Sequence, residues 1–123
     1  MTISLSRIIL YVHDVTRLKE FYETHFGCRV VEEIVGEWAV LQAGQMELAL
    51  HLVGPAYRTA QPATTQSNAK LVFTMESGLP EMRAYLEKAG VQVGQIKRYR
   101  GFSYSLCDGR DPEGNVFQLS EPD

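Results

Sequence analysis

From Leu5 to Val12 the chain is almost continuously apolar and β-branched, which is the pattern of a buried strand. Asp14 then offers a helix N-cap, and Val15, Leu18, Phe21, Tyr22 and Phe26 follow at helical spacing. Gly27 stands where a helix needs a left-handed residue at its C-terminal end. Three short strands are expected next, over Arg29–Val35, Glu37–Gln42 and Met46–Leu52, with breaks at Gly36 and at Ala43–Gln45 short enough for hairpin turns. The order reads βαβββ.

The second half repeats it. Ala69–Met75 reads as a strand, and Leu79, Met82, Tyr85, Leu86 and Ala89 form a helical stripe with Pro80 in its first turn and Gly90 at its end. Strands are expected at Gln92–Ile96, Phe102–Cys107 and Val116–Leu119, the last two separated by a turn-rich stretch over 108–115. A shift of 63 residues aligns Arg7 with Lys70, Val12 with Met75, Tyr22 with Tyr85, Gly27 with Gly90 and Val30 with Val93. Val53–Asn68, aperiodic and rich in small polar residues, reads as a linker or as a loop over a site. The expectation is one α+β domain of two βαβββ modules in tandem, module one about 1–53, linker about 54–68 and module two about 69–123. Two such modules form a curved mixed sheet around a cup. Phe21, Tyr22, Phe26 and Tyr85 are assigned to helix–sheet packing.

Bulk properties narrow the function classes. The 123 residues are 45% hydrophobic and 22% charged with net charge -3, so one domain is expected, with no nucleic-acid partner and no anionic membrane surface. Ile8–Val12, ended by His13 and Asp14, is too short to span a membrane or form a signal-peptide core, and the expected location is cytoplasmic. Cys28 and Cys107 match no metal or redox spacing and read as buried thiols. No GxSxG, HExxH, GxxxxGK or GxGxxG motif supports a covalent nucleophile or a nucleotide cofactor.

The run Ile8-Ile9-Leu10-Tyr11-Val12-His13-Asp14, the pairs Phe21-Tyr22 and Phe26-Gly27, and the ending Asp111-Pro112-Glu113-Gly114-Asn115-Val116-Phe117-Gln118-Leu119 together carry a resemblance. The chain resembles the vicinal oxygen chelate superfamily of glyoxalase I, bleomycin-resistance proteins, extradiol dioxygenases and fosfomycin-resistance enzymes. The resemblance implies a homodimer. It also implies that metal-using members carry a His on the first strand of a module and a Glu or His on its last strand. Here the first-strand positions match Arg7 and Lys70, and the last-strand positions match Ala49 and Gln118, with His51 two residues beyond Ala49. Arginine cannot ligate, lysine must first lose its proton, and an amide is a weak ligand. A divalent metal cofactor is therefore not expected; if one binds, His51 and Glu47 are the available donors.

Arg7 and Lys70 admit two readings. They contact a small anionic or oxygen-rich ligand together with His51 and Gln118, or they pair with carboxylates as structural elements. His51 suits acid–base catalysis but equally a polar wall. Trp38, Tyr11, Phe102 and Tyr104 are candidates to line the cup, Trp38 being equally suited to the core. The expected function is a glyoxalase/bleomycin-resistance-like protein binding a small polar or anionic molecule without the usual metal site. The alternative is a metal-dependent glyoxalase-type lyase, isomerase or dioxygenase, and a third reading is a non-catalytic regulator.

Overall fold

Asp14 caps the first helix as its position suggested: Oδ1 accepts from the backbone N–H of Arg17 at 3.0 Å. This is one detail of a computed structural model that describes residues 2–58 and 68–123. The chain divides into two units, Met1–Ala63 and Thr64–Asp123.

Unit one holds β1 (Arg7–Val12), α1 (Val15–Phe26), β2 (Arg29–Ile34), β3 (Trp38–Ala43) and β4 (Met46–Leu52). The sheet order is β1-β4-β3-β2, with β1 parallel to β4 and the other pairs antiparallel. α1 buries Val15, Leu18, Phe21 and Tyr22 on its sheet side, and it ends at Gly27, whose left-handed φ of 65° favours glycine. Alternation sends Val12, Leu48, Leu50, Leu41 and Ala39 into the core. The same alternation turns Arg7, Ile9 and Tyr11 of β1 to the opposite face, all three exposed.

Two differences from expectation have local causes. Leu5 lies outside β1 and is 74% exposed, since the strand begins only where Arg7 finds its partner Glu47 on β4. In β2 the register slips between Val30 and Glu32, so Val31 is an extra residue. After β4 a single 3₁₀ turn spans Pro55–Tyr57, and His13 Nε2 donates to the Tyr57 carbonyl at 3.1 Å. The rest of the expected linker, residues 59–67, lies outside the described residues.

Unit two holds β5 (Lys70–Thr74), α2 (Leu79–Lys88), β6 (Tyr104–Arg110) and β7 (Val116–Pro122), ordered β5-β7-β6 with β5 parallel to β7. The strand expected at Gln92–Ile96 does not form; the segment makes one isolated bridge to β6, Val93–Gly109, and Lys97 just beyond it makes another with Leu106. The Gly94 carbonyl, which a ladder would use, accepts from Arg83 Nε on α2 at 2.7 Å. Tyr85 also departs from expectation, being 45% exposed, while Leu79 and Leu86 carry the buried stripe of the shorter helix. Unit two thus contributes three strands among the described residues, which together form an α+β fold with two helices and seven strands in two mixed sheets.

The turn before β7 is organised by Asp111, which is 5% exposed. Its Oδ1 accepts from the backbone N–H groups of Glu113 and Asn115, each at 2.9 Å, and its Oδ2 accepts from Asn115 Nδ2 at 2.8 Å. Two residues earlier, within β6, Gly109 admits no side chain: a Cβ there would lie 2.3 Å from the Phe117 ring and 2.8 Å from the Gln92 carbonyl.

Candidate functional site

In unit one the site is built by strand register. β1, β4 and β3 place Tyr11, His51 and Trp38 side by side in one row, and Arg7, Glu47 and Gln42 in another, on the sheet face that α1 leaves bare. The His51 ring stands edge-on to Trp38 at 5.6 Å and tilted against Tyr11 at 5.2 Å. His51 Nδ1 meets the Leu52 carbonyl at 2.6 Å; a carbonyl only accepts, so Nδ1 donates and a neutral ring here would hold its lone pair on Nε2. That is the tautomer a base would use. The bond also fixes the ring plane, which a wall residue would do equally well.

Arg7 is not a lone cation. Its Nε and Nη2 both reach Glu47 Oε1 at 3.0 Å, and its guanidinium stands 5.7 Å from the centre of the Trp38 ring. Glu47, one of the two donors a metal would have to use if one bound, is therefore occupied by Arg7. Beside this row opens a cavity of about 630 Å³, walled by Ile9, Ile34, Trp38 and His51, with Glu32, Glu37 and Arg58 at its polar side. Trp38 Nε1 donates to Glu32 Oε2 at 2.6 Å, and Arg58 Nε donates to the Val53 carbonyl at 3.1 Å.

In unit two the equivalent face carries Lys70, Val72, Gln118, Asp108 and Tyr104 by the same alternation. Val72 pairs with Gln118 as Ile9 pairs with Ala49, so Gln118 and Ala49 occupy matching places. Lys70 Nζ reaches over β7 to Asp108 Oδ2 at 2.7 Å, while Asp108 Oδ1 is buried with no hydrogen-bond partner. Phe102 stacks on Tyr104 at 5.3 Å and meets Tyr99 edge-on at 6.2 Å. These rings, with Lys70, Asp108 and Gln118, line a second cavity of about 450 Å³.

Both cations thus have carboxylate partners, and both pairs are half-exposed. Such pairs contribute at most about 1 kcal/mol each, so they position the side chains more than they hold the sheets together. Burial pushes both thiols up, Cys28 by desolvation alone and Cys107 by desolvation with Asp108 adding and Arg83 opposing. Among the described residues no three His, Cys, Asp or Glu side chains form a group that could hold a metal ion. No helix among them is long and apolar enough to cross a membrane.

Sequence reasoning did not reach Glu32, Glu37, Arg58 or Asp108. Asp108 was readable in principle, because Tyr104, Leu106 and Asp108 share a face at spacing two. Glu32 was hidden by the extra residue at Val31, which breaks the period just before it.

Known proteins agree with this architecture. A family described as Glyoxalase/Bleomycin resistance protein/Dioxygenase superfamily matches residues 4–119. A lactoylglutathione lyase from Agrobacterium tumefaciens superposes with a TM-score of 0.75 at 20% identity, over 96% of this chain and 92% of the other. The fosfomycin resistance protein FosX from Listeria monocytogenes gives 0.80 at 14% identity, over 100% and 96%. TnmS3, an antibiotic binding protein from Streptomyces sp. CB03234, gives 0.76 at 22%, over 100% and 99%. At these identities the likeness is one of fold. No curated protein sequence matches the chain.

Proposed function

The chain belongs to the Glyoxalase/Bleomycin resistance protein/Dioxygenase superfamily, and we propose that it binds a small polar organic molecule on its bare sheet faces without a divalent metal at the family's usual positions. The row Tyr11–His51–Trp38 beside a 630 Å³ cavity is the observation that carries this reading. Ligand sites of this kind are concave and mostly apolar, with a few fixed polar groups. On unit one Arg7 and His51 supply the polar contacts, and on unit two Lys70 and Gln118 do so beside the flat wall of Tyr104.

The ligand is polar rather than strictly anionic. Glu47 and Asp108 each neutralise the cation beside them within hydrogen-bond distance, so neither Arg7 nor Lys70 offers an unbalanced positive charge. The metal part of the proposal rests on donor chemistry. Arg7, Ala49, Lys70 and Gln118 stand at the four matching places, and His51 and Glu47 on one strand do not complete a set.

Two measurements test the proposal. Metal analysis of protein purified without chelator is expected to find a substoichiometric divalent ion content. One equivalent per chain, lost on His51→Ala, would return the protein to the metal-dependent lyase, isomerase or dioxygenase class. A thermal-shift screen of small polar organics is expected to yield a ligand whose stabilisation drops in His51→Ala and Trp38→Ala. If none of the hits depends on either residue, the bare face of unit one is not the site. The same reading includes a homodimer, which light scattering of the purified protein measures directly.

A further inference from the structure

Unit one and unit two have diverged at the positions that define the larger cavity. Trp38 pairs with His51 across β3 and β4, whereas the matching pair on β6 and β7 is Leu106 with Ser120. Only unit one therefore has an aromatic wall at this row. Its charge is also distinct. Among the described residues that line it, Glu32 and Glu37 stand against one arginine, Arg58, whose Nε is held by the Val53 carbonyl. Arg7 adds no net positive charge, because Glu47 balances it. Trp38 already stands beneath a guanidinium, and its indole N–H is bound to Glu32, which enriches the ring's electron density.

From these observations we infer that the unit-one cavity selects a flat aromatic cation, its ring lying against Trp38 and His51 and its positive group turned to Glu32 and Glu37. This rests on the small-molecule reading above and names the chemical class of the ligand. The apolar side of the cavity, Ile9 and Ile34, receives the edge of the ring. One cation is bound per chain, since unit two lacks the Trp and the His.

Trp38 is the chain's sole tryptophan, so its emission reports directly on the site. Proflavine (a planar cation), acridone (its neutral counterpart) and acridone acetate (an anionic one) are titrated by calorimetry with Trp38 emission followed in parallel. Proflavine is expected to bind once per chain, to quench Trp38 and to bind about tenfold more tightly than acridone. Glu32→Gln keeps an acceptor for the indole and removes the charge, and it is expected to weaken proflavine roughly threefold to tenfold while leaving acridone unchanged. Glu20→Gln removes the same charge from the exposed side of α1 and is expected to change nothing.

Several outcomes overturn the inference. Acridone or acridone acetate binding as tightly as proflavine rejects the cation class but leaves small-molecule binding standing. So does a Glu20→Gln effect equal to that of Glu32→Gln, which marks diffuse attraction by an acidic protein. Calorimetric binding without quenching of Trp38 puts the cation elsewhere. If none of the three binds, the class is wrong, while the polar-ligand reading is judged on its own screen.

Discussion

A single missing Cβ decides how β6 and β7 pack. At Gly109 any side chain would collide with the Phe117 ring and with the Gln92 backbone, and the backbone cannot swing aside as a flexible side chain does. Gly109→Ala is therefore expected to lower stability by roughly 2–3 kcal/mol, read as a shift in the urea midpoint at unchanged slope. An unaltered midpoint would mean the strands separate at little cost. The cysteines were legible from sequence as buried thiols, and the structure leaves Cys28 6% and Cys107 0% exposed. Because burial also holds both above the usual thiol range, neither is expected to react with Ellman's reagent in the native state at pH near 8, and both should react in denaturant. Rapid native labelling would contradict this. Arg7 and Lys70 show the limit of reading at this scale. Their type and position were plain in the sequence, but their partners were not, because Glu47 and Asp108 come near only through strand pairing.

Elements were legible wherever local signals agreed with tertiary packing. Asp14, the stripe from Val15 to Phe26 and Gly27 fixed α1 within the chain's own local chemistry. α2 was harder. Gly78 offers no cap, and the Leu79 N–H is served instead by Glu121 Oε1 from β7 at 3.1 Å, a partner 42 residues away. The Gln92–Ile96 segment failed as a strand for a similar reason, since Arg83 of α2 takes the Gly94 carbonyl. After this segment the chain is tied back by Arg98, whose guanidinium grips Asp123 beyond the end of β7. The Arg98 hydrogen bond holds the Asp123 carboxyl below the usual aspartate range. A depressed acid stabilises the folded state above its unfolded pKa, and that contribution fades as pH falls through the lower, folded value. In a carbon-detected NMR titration Asp123 is expected to protonate at lower pH than a free aspartate, and Arg98→Ala should return it to the ordinary range. A midpoint that ignores Arg98→Ala would show the grip to be absent in solution.

At the scale of the whole molecule, the repeat gave the order of elements because both halves preserve the same hydrophobic logic. β1 and β5 begin at Arg7 and Lys70, 63 residues apart, as the alignment required. The repeat could not show how far the halves had drifted. Among the described residues the first sheet has four strands and the second three, and each bare face has acquired its own chemistry. A net charge of -3 and a calculated pI of about 5.6 leave the molecule mildly acidic at neutral pH. Solubility is expected to pass through a minimum near that pI and to recover on either side, as turbidity against pH would record. A minimum well above neutrality would point to acidic groups that stay protonated in the fold.

The slip in β2 has a consequence for how this gene tolerates change in length. Val30 pairs with Leu41 and Glu32 with Val40, so the residue between them belongs to no rung of the ladder. Removing Val31 leaves every remaining partner in place and keeps Glu32 on the same face, whereas removing Val30 or Glu32 would take out a paired residue. A single-codon deletion, usually ruinous within a strand, should here give a folded protein that keeps the Trp38–Glu32 bond and loses only local twist. Scanning deletions through Arg29–Ile34 and measuring soluble yield should show one permissive codon, at Val31.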